Sequence, residues 1–436
     1  MGASSVSVYI ILLVSVLVDQ NVYATTLSEA LLQAYLNNPE LNAERENIEI
    51  SKEDLNISRS EFLPTITVSG SKSQENTEKL TDRKGKNSSF TDVDPETKSI
   101  LIEQTLFQGF GGVATLQKNK IGLSLADAKF LKAEQIILYK AIEAYSGLIF
   151  ANNKLKINQK NINLLEQQVE TDQARLERGQ ITLVDLAQSE SSFAGAQAKF
   201  IEARNEAVTS KLIYEKIIGP INDSSTLDKI SDLEFEIPVN LDKAIEISKI
   251  RNPNLIISKL EYEQSEKDII IARSDLSPSA TLSFNSSRSD DVSSTINERD
   301  KETLNATISW PIFNGRKNTA SLNRSKNLKN RNKLLFDNAM KTNETNVASA
   351  WSSLQSSRSL LNSVKSQVKA AEIANEGITV EYESGLGRST LDVIQSNSIL
   401  LSSKISLADS ERNYLLSQFR LLQSVGLLNS NYLKLQ

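Results

Sequence analysis

Leu27-Ser28-Glu29-Ala30-Leu31 leads to Asn38-Pro39, and Leu241-Asp242-Lys243-Ala244-Ile245 leads in the same way to Asn252-Pro253. One offset relates both pairs (241−27 = 252−38 = 214), and Pro64 and Pro278 keep it. Further on, Leu106-Phe107-Gln108-Gly109 matches Ile312-Phe313-Asn314-Gly315 at an offset of 206, which Gly179 and Gly385 share. Asp185/Asp392 and Gly219/Gly426 stand 207 apart. Landmarks that keep their order while the offset drifts slightly at loops are the signature of a duplicated fold.

Each copy follows the same plan. Thr26 with Glu29 three residues on makes a capping box before a short helix. That helix ends near Asn38, Pro39 opens a second helix, and Pro64 stops it. Ile66 and Val68 then alternate with Thr65, Thr67 and Ser69, and Thr97 to Phe107 runs back after a polar loop. In the second copy Leu282 and Phe284 alternate with Thr281, Ser283 and Asn285, and Leu304, Ala306, Ile308 and Trp310 with Asn305, Thr307 and Ser309. Such alternation predicts strands with one apolar and one polar face, whether in lipid or in an ordinary soluble hairpin.

No proline interrupts Val113 to Arg178 or Lys317 to Ser384. Each stretch predicts a helix roughly 100 Å long. A glycine-containing turn follows each, at Gly179 and at Gly385-Leu386-Gly387, and a returning helix runs to Gly219 or Gly426. In the second return, Leu391, Ile394, Ser398, Leu401, Ile405, Ala408, Arg412, Leu415, Phe419 and Leu422 step by threes and fours. Val393, Leu400, Leu407, Tyr414 and Leu421 form another apolar column. Two seams on one helix imply neighbours on both sides, as in a ring of helices. An elongated bundle with an ordinary core is the other reading.

The expected fold is therefore mainly α with a small β part. A first repeat spans 25–221, with a β-hairpin at about 65–107 and a long helical hairpin at about 111–219. A linker covers 222–239, and a second repeat spans 240–428, with its hairpins at about 279–313 and 317–426. A short tail, 429–436, closes the chain. Residues 1–24 read as an export signal: Tyr9 to Val18 is apolar but too short to span a bilayer, and Val22-Tyr23-Ala24 puts small residues before a cleavage site. An uncleaved apolar tail is the alternative. No later stretch reaches the ~20 apolar residues of a membrane helix, so any membrane entry must use strands.

Composition narrows the function. The 436 residues carry a net charge of −5, which gives no basic footprint for nucleic acid. There is neither cysteine nor histidine, so a thiolate nucleophile, the commonest general base and the commonest metal ligand are missing. No phosphate loop or metal cluster stands out. The sequence reads as a non-enzyme with no cofactor and no metal site.

The two Asn-Pro openings, Pro64 and Pro278, Trp310-Pro311-Ile312-Phe313-Asn314-Gly315, Tyr382-Glu383-Ser384-Gly385 and Arg388-Ser389-Thr390-Leu391-Asp392-Val393-Ile394 carry a resemblance. So do Tyr414-Leu415-Leu416 and Leu427-Leu428. Together they resemble the TolC-like outer membrane efflux proteins, from Thr25 to about Leu428. The resemblance implies a homotrimer whose long hairpins form an α-barrel across the periplasm. Four strands per chain, too few to close a barrel alone, would share one 12-stranded β-barrel in outer membrane lipid. It implies a channel for efflux or type I secretion, docked to a periplasmic adaptor protein and an inner-membrane pump. A soluble periplasmic coiled-coil scaffold is the reading from another class.

The resemblance also assigns roles at the hairpin tips. Tyr382 and Arg388 would bond Asp185 to hold a periplasmic gate, the alternative being solvated tip charges worth little. Asp392 would line a constriction ring, and Gln395 stands where the family places a second aspartate. Asp392 also serves as an acid at a helix N-terminus. Val184 replaces a threonine that adds a gate hydrogen bond. Gly179, Gly385, Leu386 and Gly387 would meet the adaptor, and Trp310 and Phe313 would sit at the lipid interface.

Overall fold

A computed structural model describes residues 26–78, 80–81, 84–88, 91–224, 227, 235–293, 295–385 and 387–435. The expected export signal and much of the linker lie outside these. Each copy begins with two short helices, α1 (Leu27–Asn37) and α2 (Pro39–Ser60) in the first, and α5 (Leu241–Arg251) and α6 (Pro253–Ser274) in the second. The strands follow: β1 (Thr65–Lys72) to β6 (Glu96–Gln108) in copy one, and β7 (Ser279–Ser293) with β8 (Ile296–Ser309) in copy two. Between β1 and β6, where the sequence pattern predicts a polar loop, short pieces β2 (Glu75–Thr77), β3 (Leu80–Thr81), β4 (Asn87–Ser88) and β5 (Thr91–Val93) pair as ladders that extend the hairpin. Then come the long helices α3 (Gly111–Glu177) and α7 (Lys317–Glu383) and their returns α4 (Leu183–Ile217) and α8 (Thr390–Val425).

The Asn-Pro pairs explain how these pieces join. Asn38 Oδ1 accepts the amides of Glu40 and Leu41 at 3.0 and 3.4 Å, capping α2. Its Nδ2 donates to the Ile217 carbonyl at the end of α4, at 3.2 Å. Asn252 repeats the device, with Oδ1 accepting from the Asn254 amide at 2.9 Å and Nδ2 donating to the Ser424 carbonyl at 2.7 Å. One side chain thus satisfies orphan groups at the end of one helix and the start of another. Proline at the first helical position needs no amide partner. In this way α4 runs into α2 and α8 into α6. Helix pairs of 22 and 35 residues, and of 22 and 36, nearly match the 67 residues of α3 and of α7.

Packing then orders the helices side by side. α3 lies between α2 with α4 and α6 with α8, and α7 packs on α6 and α8. The buried seams keep a seven-residue period, as supercoiled helices require. On α3 the seam is Ile137, Ala144, Ala151, Asn158, Leu165 and Asp172. On α8 it is Ser396, Ser403, Ser410 and Ser417, all buried, facing a seam on α7 that includes Val347, Leu354, Leu361 and Val368. The apolar columns anticipated on α8 hold in part, since Val393 and Leu421 are buried. The serine column escaped notice because its residues are small rather than apolar. Ser396 and Ser417 return their hydroxyls to the carbonyls of Val393 and Tyr414, which leaves the seam little wider than alanine would.

A belt covers one face of this wall. Leu27, Ala30, Leu31 and Ala34 of α1 bury against Ile137, Leu138, Ala141, Ile142 and Tyr145 of α3 and Phe419 and Leu422 of α8. The C-terminal tail joins them through Leu428, Leu433 and Leu435, and the buried Glu134 carboxylate accepts the Ser430 amide at 2.7 Å. A second core joins Ala244 of α5 to Val347, Ala350, Leu421 and Val425.

The sheet order is β1-β6-β7-β8, antiparallel throughout, so the two copies' hairpins join edge to edge. The register aligns Ile66, Ile102, Phe284 and Leu304 in one row across all four strands. The adjacent row, on the opposite face, is Thr65, Glu103, Ser283 and Asn305. A bulge between Thr105 and Phe107 shifts the phase of β6, so that Phe107 aligns with Ala280 and Ile308. β8 ends at Ser309, one residue before the tryptophan that the alternation had included; Trp310 Nε1 instead donates to the Leu276 carbonyl at 3.1 Å.

The helix junctions differ sharply in tolerance from the hairpin turns. Gly426 has φ +90°, and a Cβ there would lie 2.4 Å from the Arg251 carbonyl oxygen. Gly385 has φ +73° but open space around it. Gly426→Ala is therefore expected to lower the thermal midpoint in detergent by clearly more than Gly385→Ala, whose cost is the left-handed backbone alone, about 1–2 kcal/mol. Equal midpoints would contradict the close junction of α8 with α6.

Candidate functional site at the hairpin tips

The tips of the two helical hairpins are built on equivalent caps. Thr182 Oγ1 accepts the Asp185 amide at 3.3 Å, while Asp185 Oδ2 accepts the Thr182 amide at 2.9 Å and its hydroxyl at 2.7 Å. Ser389 and Asp392, each 207 residues on, repeat that box with 3.3, 2.9 and 2.9 Å. Hydrogen bonds from the Thr182 backbone and then its side chain hold the Asp185 carboxyl below the usual range. The backbone and side chain of Ser389, followed by the charge of Arg388, do the same for Asp392. The two aspartates given different roles by resemblance thus occupy the same position in the two copies.

Above the caps the copies diverge. Tyr382, near the end of α7, is buried, and its hydroxyl donates to Asp172 Oδ1 on α3 at 2.9 Å. It also lies 3.0 Å from the Thr390 hydroxyl. Asp172 is fully buried and takes further hydrogen bonds from Ser189 Oγ on α4, at 2.5 Å, and from Gln168 Nε2, at 3.0 Å. The Arg175 guanidinium stacks on the Tyr382 ring at 4.3 Å. A carboxylate buried with several donors ties α3, α4 and α7 together. At the matching positions the opposite copy has Leu176 for Tyr382 and Ile378 for Asp172 (382−176 = 378−172 = 206). The link therefore exists only one way round.

Of the expected gate set, the structure joins Tyr382 to Asp172 rather than to Asp185. Arg388 Nε donates to Glu381 Oε2 on its own hairpin at 2.6 Å, and Asp185 is occupied by Thr182. Within one chain, Arg388 and Tyr382 do not reach Asp185. Gln395 is exposed one turn after Asp392, on the same side of α8. Gly179, Gly385 and Gly387 are exposed at positive φ of 68°, 73° and 84°; Leu386 lies outside the described residues. Asp172 was missed, although a signal existed. It continues the α3 heptad seven residues after Leu165, so an acid sat at a core position.

A family model for the outer membrane efflux protein matches residues 30–219 and 244–427. The chain is 25% identical over 423 residues to the outer membrane efflux protein BepC of Brucella suis, covering 97% of this chain and 90% of that one. It is 21% identical over 426 residues to the alkaline protease secretion protein AprF of Pseudomonas aeruginosa, covering 96% and 88%. Among solved structures, the CmeC outer membrane channel of Campylobacter jejuni superposes with a TM-score of 0.81 at 15% identity, over 92% of this chain and 85% of that one.

Removing the buried acceptor strands several donors at once. Asp172→Ala is expected to destabilise the tips by about 1–3 kcal/mol. It should speed amide hydrogen exchange around Glu177 and Glu383 while leaving the belt protected. Uniform exchange across both regions would remove Asp172 from this role.

Proposed function

The chain belongs to the outer membrane efflux protein family, and from that premise we propose that three copies close into one gated duct from the periplasm through the outer membrane. The observation that carries this reading is the apolar row Ile66, Ile102, Phe284 and Leu304, in which Ile66 and Leu304 stand 67% and 70% exposed. An apolar face backed by a polar one is the pattern of a membrane β-barrel, lipid outside and water inside. Open sheet edges have no place in lipid, and the free edges here are β1 and β8. They lie on the same sides of the chain as the unpartnered flanks of α2 with α4 and of α7. A neighbour placing β1 on β8 also places its α4 on α7, so sheet and helical wall close together. Three chains supply twelve strands and a ring of twelve helices.

At 8–10 Å between axes, twelve helices make a ring roughly 35 Å across. The belt of α1, α5 and tail from three chains would plug that space, so it lies outside. A cargo enters at the hairpin tips, delivered by an inner-membrane pump through an adaptor that meets the turns at Gly179 and Gly385. The same geometry serves efflux and protease secretion, the two tasks that the names of the relatives give.

The gate follows from the divergence of the tips. The Tyr382–Asp172 bond holds α7 inward on its own chain's α3. Arg388 has two partners within reach of the ring: Glu381 on its own hairpin and Asp185 on the adjoining α4 of the neighbouring chain. Opening requires the α7–α8 hairpin to leave both. Asp392 and Gln395 line the constriction, where three carboxylates favour cations.

Membrane fractionation separates this duct from a soluble periplasmic scaffold: the duct needs detergent for release, and release by salt or buffer alone would end the channel reading. In planar bilayers, Tyr382→Phe and Arg388→Ser are each expected to raise single-channel conductance, and Asp392→Ala to shift the reversal potential away from cation preference. Conductance unchanged in both gate variants would remove the gate, and an unaltered reversal potential would remove the ring.

A further inference from the structure

A cavity of about 820 Å³ opens between α3, α7 and α8 at the level of the α6–α8 junction. Its walls include Lys132, Gln135 and Tyr139 of α3 and Arg412 and Arg420 of α8. Lys132, Gln135, Arg412 and Arg420 lie outside the belt core, whereas the Tyr139 ring packs against that core from the cavity side. On α3 they alternate with Glu134, Ile137, Leu138 and Ala141, which pack under α1 and the tail or bond to it. On α8, Arg412, Arg420 and Gln423 share the cavity face at helical spacing, while Leu422 and Val425 turn to the belt cores and Leu416 touches both. With the belt outside, which rests on the trimeric duct proposed above, the cavity opens into the lumen.

Its chemistry is one-sided. Gln135 is 3% exposed, and its Nε2 has no hydrogen-bond partner. The Nε of Arg412 is buried and equally without one. Both orphans are donors, and both line this cavity. None of Lys132, Arg412 and Arg420 takes part in an ion pair among the described residues. One carboxylate, Glu143, lines the wall, and Asp409 one turn below is held by Asn413 Nδ2 at 2.9 Å. Burial and then the Glu143 charge push the Tyr139 phenol up, and the nearby Arg420 opposes them. Arg412 also lines a smaller cavity of about 350 Å³, together with Glu411, and its Nε is unmatched all the same. The second copy's design is absent from the first: Asn205 and Ile213 stand where α8 has Arg412 and Arg420 (412−205 = 420−213 = 207).

Buried donors without acceptors are costly, and a cluster of unpaired cations beside them selects an acceptor-rich, negatively charged occupant. We propose that each chain carries an anion-binding pocket on the lumen face, built by Gln135, Arg412, Arg420 and Lys132, which takes polyvalent oxyanion groups of passing solutes. Phosphate and carboxylate groups share the chemistry required. Three such pockets form a cationic band at mid-height, above the acidic constriction at Asp392, so the duct presents opposite charges in series.

The test uses the full-length protein. In planar bilayers, tripolyphosphate and citrate are titrated as blockers, one arm for each anion class. At least one is expected to reduce the current, and the double variant R412Q/R420Q to weaken the block by about tenfold or more. Q135L, which removes only the orphan donor at nearly constant volume, should weaken it by a smaller factor and covers the case where the double variant misfolds. No block by either anion, or equal block in wild type and variants, overturns the pocket. If no conductance appears at all, the duct proposal fails instead. Calorimetric titration of the same anions into detergent-solubilised protein then still reads the pocket, binding lost in R412Q/R420Q supporting it and no binding overturning it.

Discussion

Two asparagine side chains hold the architecture together, because each has a donor at one end and an acceptor at the other. Asn38 and Asn252 take the first amides of α2 and α6 while giving a hydrogen bond to the last carbonyls of α4 and α8. A helix end buried without such partners would carry unsatisfied groups worth about 1–3 kcal/mol each. With them, two short helices act as one long one and can run beside α3 and α7 over nearly their full length. Loss of that match would leave the upper or lower part of each long helix uncovered. The single-layer wall and its open edges presuppose it.

A wall one helix thick has no interior of its own, so its stability comes from close seams and from the belt. Small residues at heptad positions let the hairpin helices approach: Ser396, Ser403, Ser410 and Ser417 on α8, with Ala196 and Ala203 at the corresponding place on α4. The large apolar side chains gather where α1, α5 and the tail provide a second layer, around Tyr145, Tyr214 and Phe419. Rigidity is therefore concentrated at mid-height. The tips depend instead on polar bonds around Asp172, which a change of partners can release.

How far the sequence discloses this depends on the kind of signal. Duplication, helix starts and the period-two strands are legible because caps, prolines and alternation act locally. The belonging of the tail to the core was not, since Leu433 and Leu435 find their partners only through the fold. The serine seam is not legible as an apolar column, because its residues pack by being small. The tip bond was half visible: Tyr382 was singled out, but its acceptor is Asp172, an acid on a buried face of α3 that spacing within the second copy does not reveal. The pairing of β6 with β7, which makes one sheet of two hairpins, is likewise a long-range fact.

The two copies build alternate parts of one wall, so in the proposed ring the contact between α3 and α8 inside a chain has a counterpart between α7 and the α4 of the next chain. Asn161 and Ser398 line one small cavity between α3 and α8. Their equivalents are Gln367 and Ser191 (161+206 = 367, 398−207 = 191), both exposed in the single chain. Since the chain has no cysteine, Gln367→Cys with Ser191→Cys supplies the only thiols. A thiol crosslinker of about 10 Å, the spacing of packed helices, should then convert the membrane-embedded protein to covalent dimers and trimers and stop there, with neither single variant reaching trimer. A double variant that stays monomeric, or that forms ladders beyond three, would contradict a ring closed by near-equivalent halves.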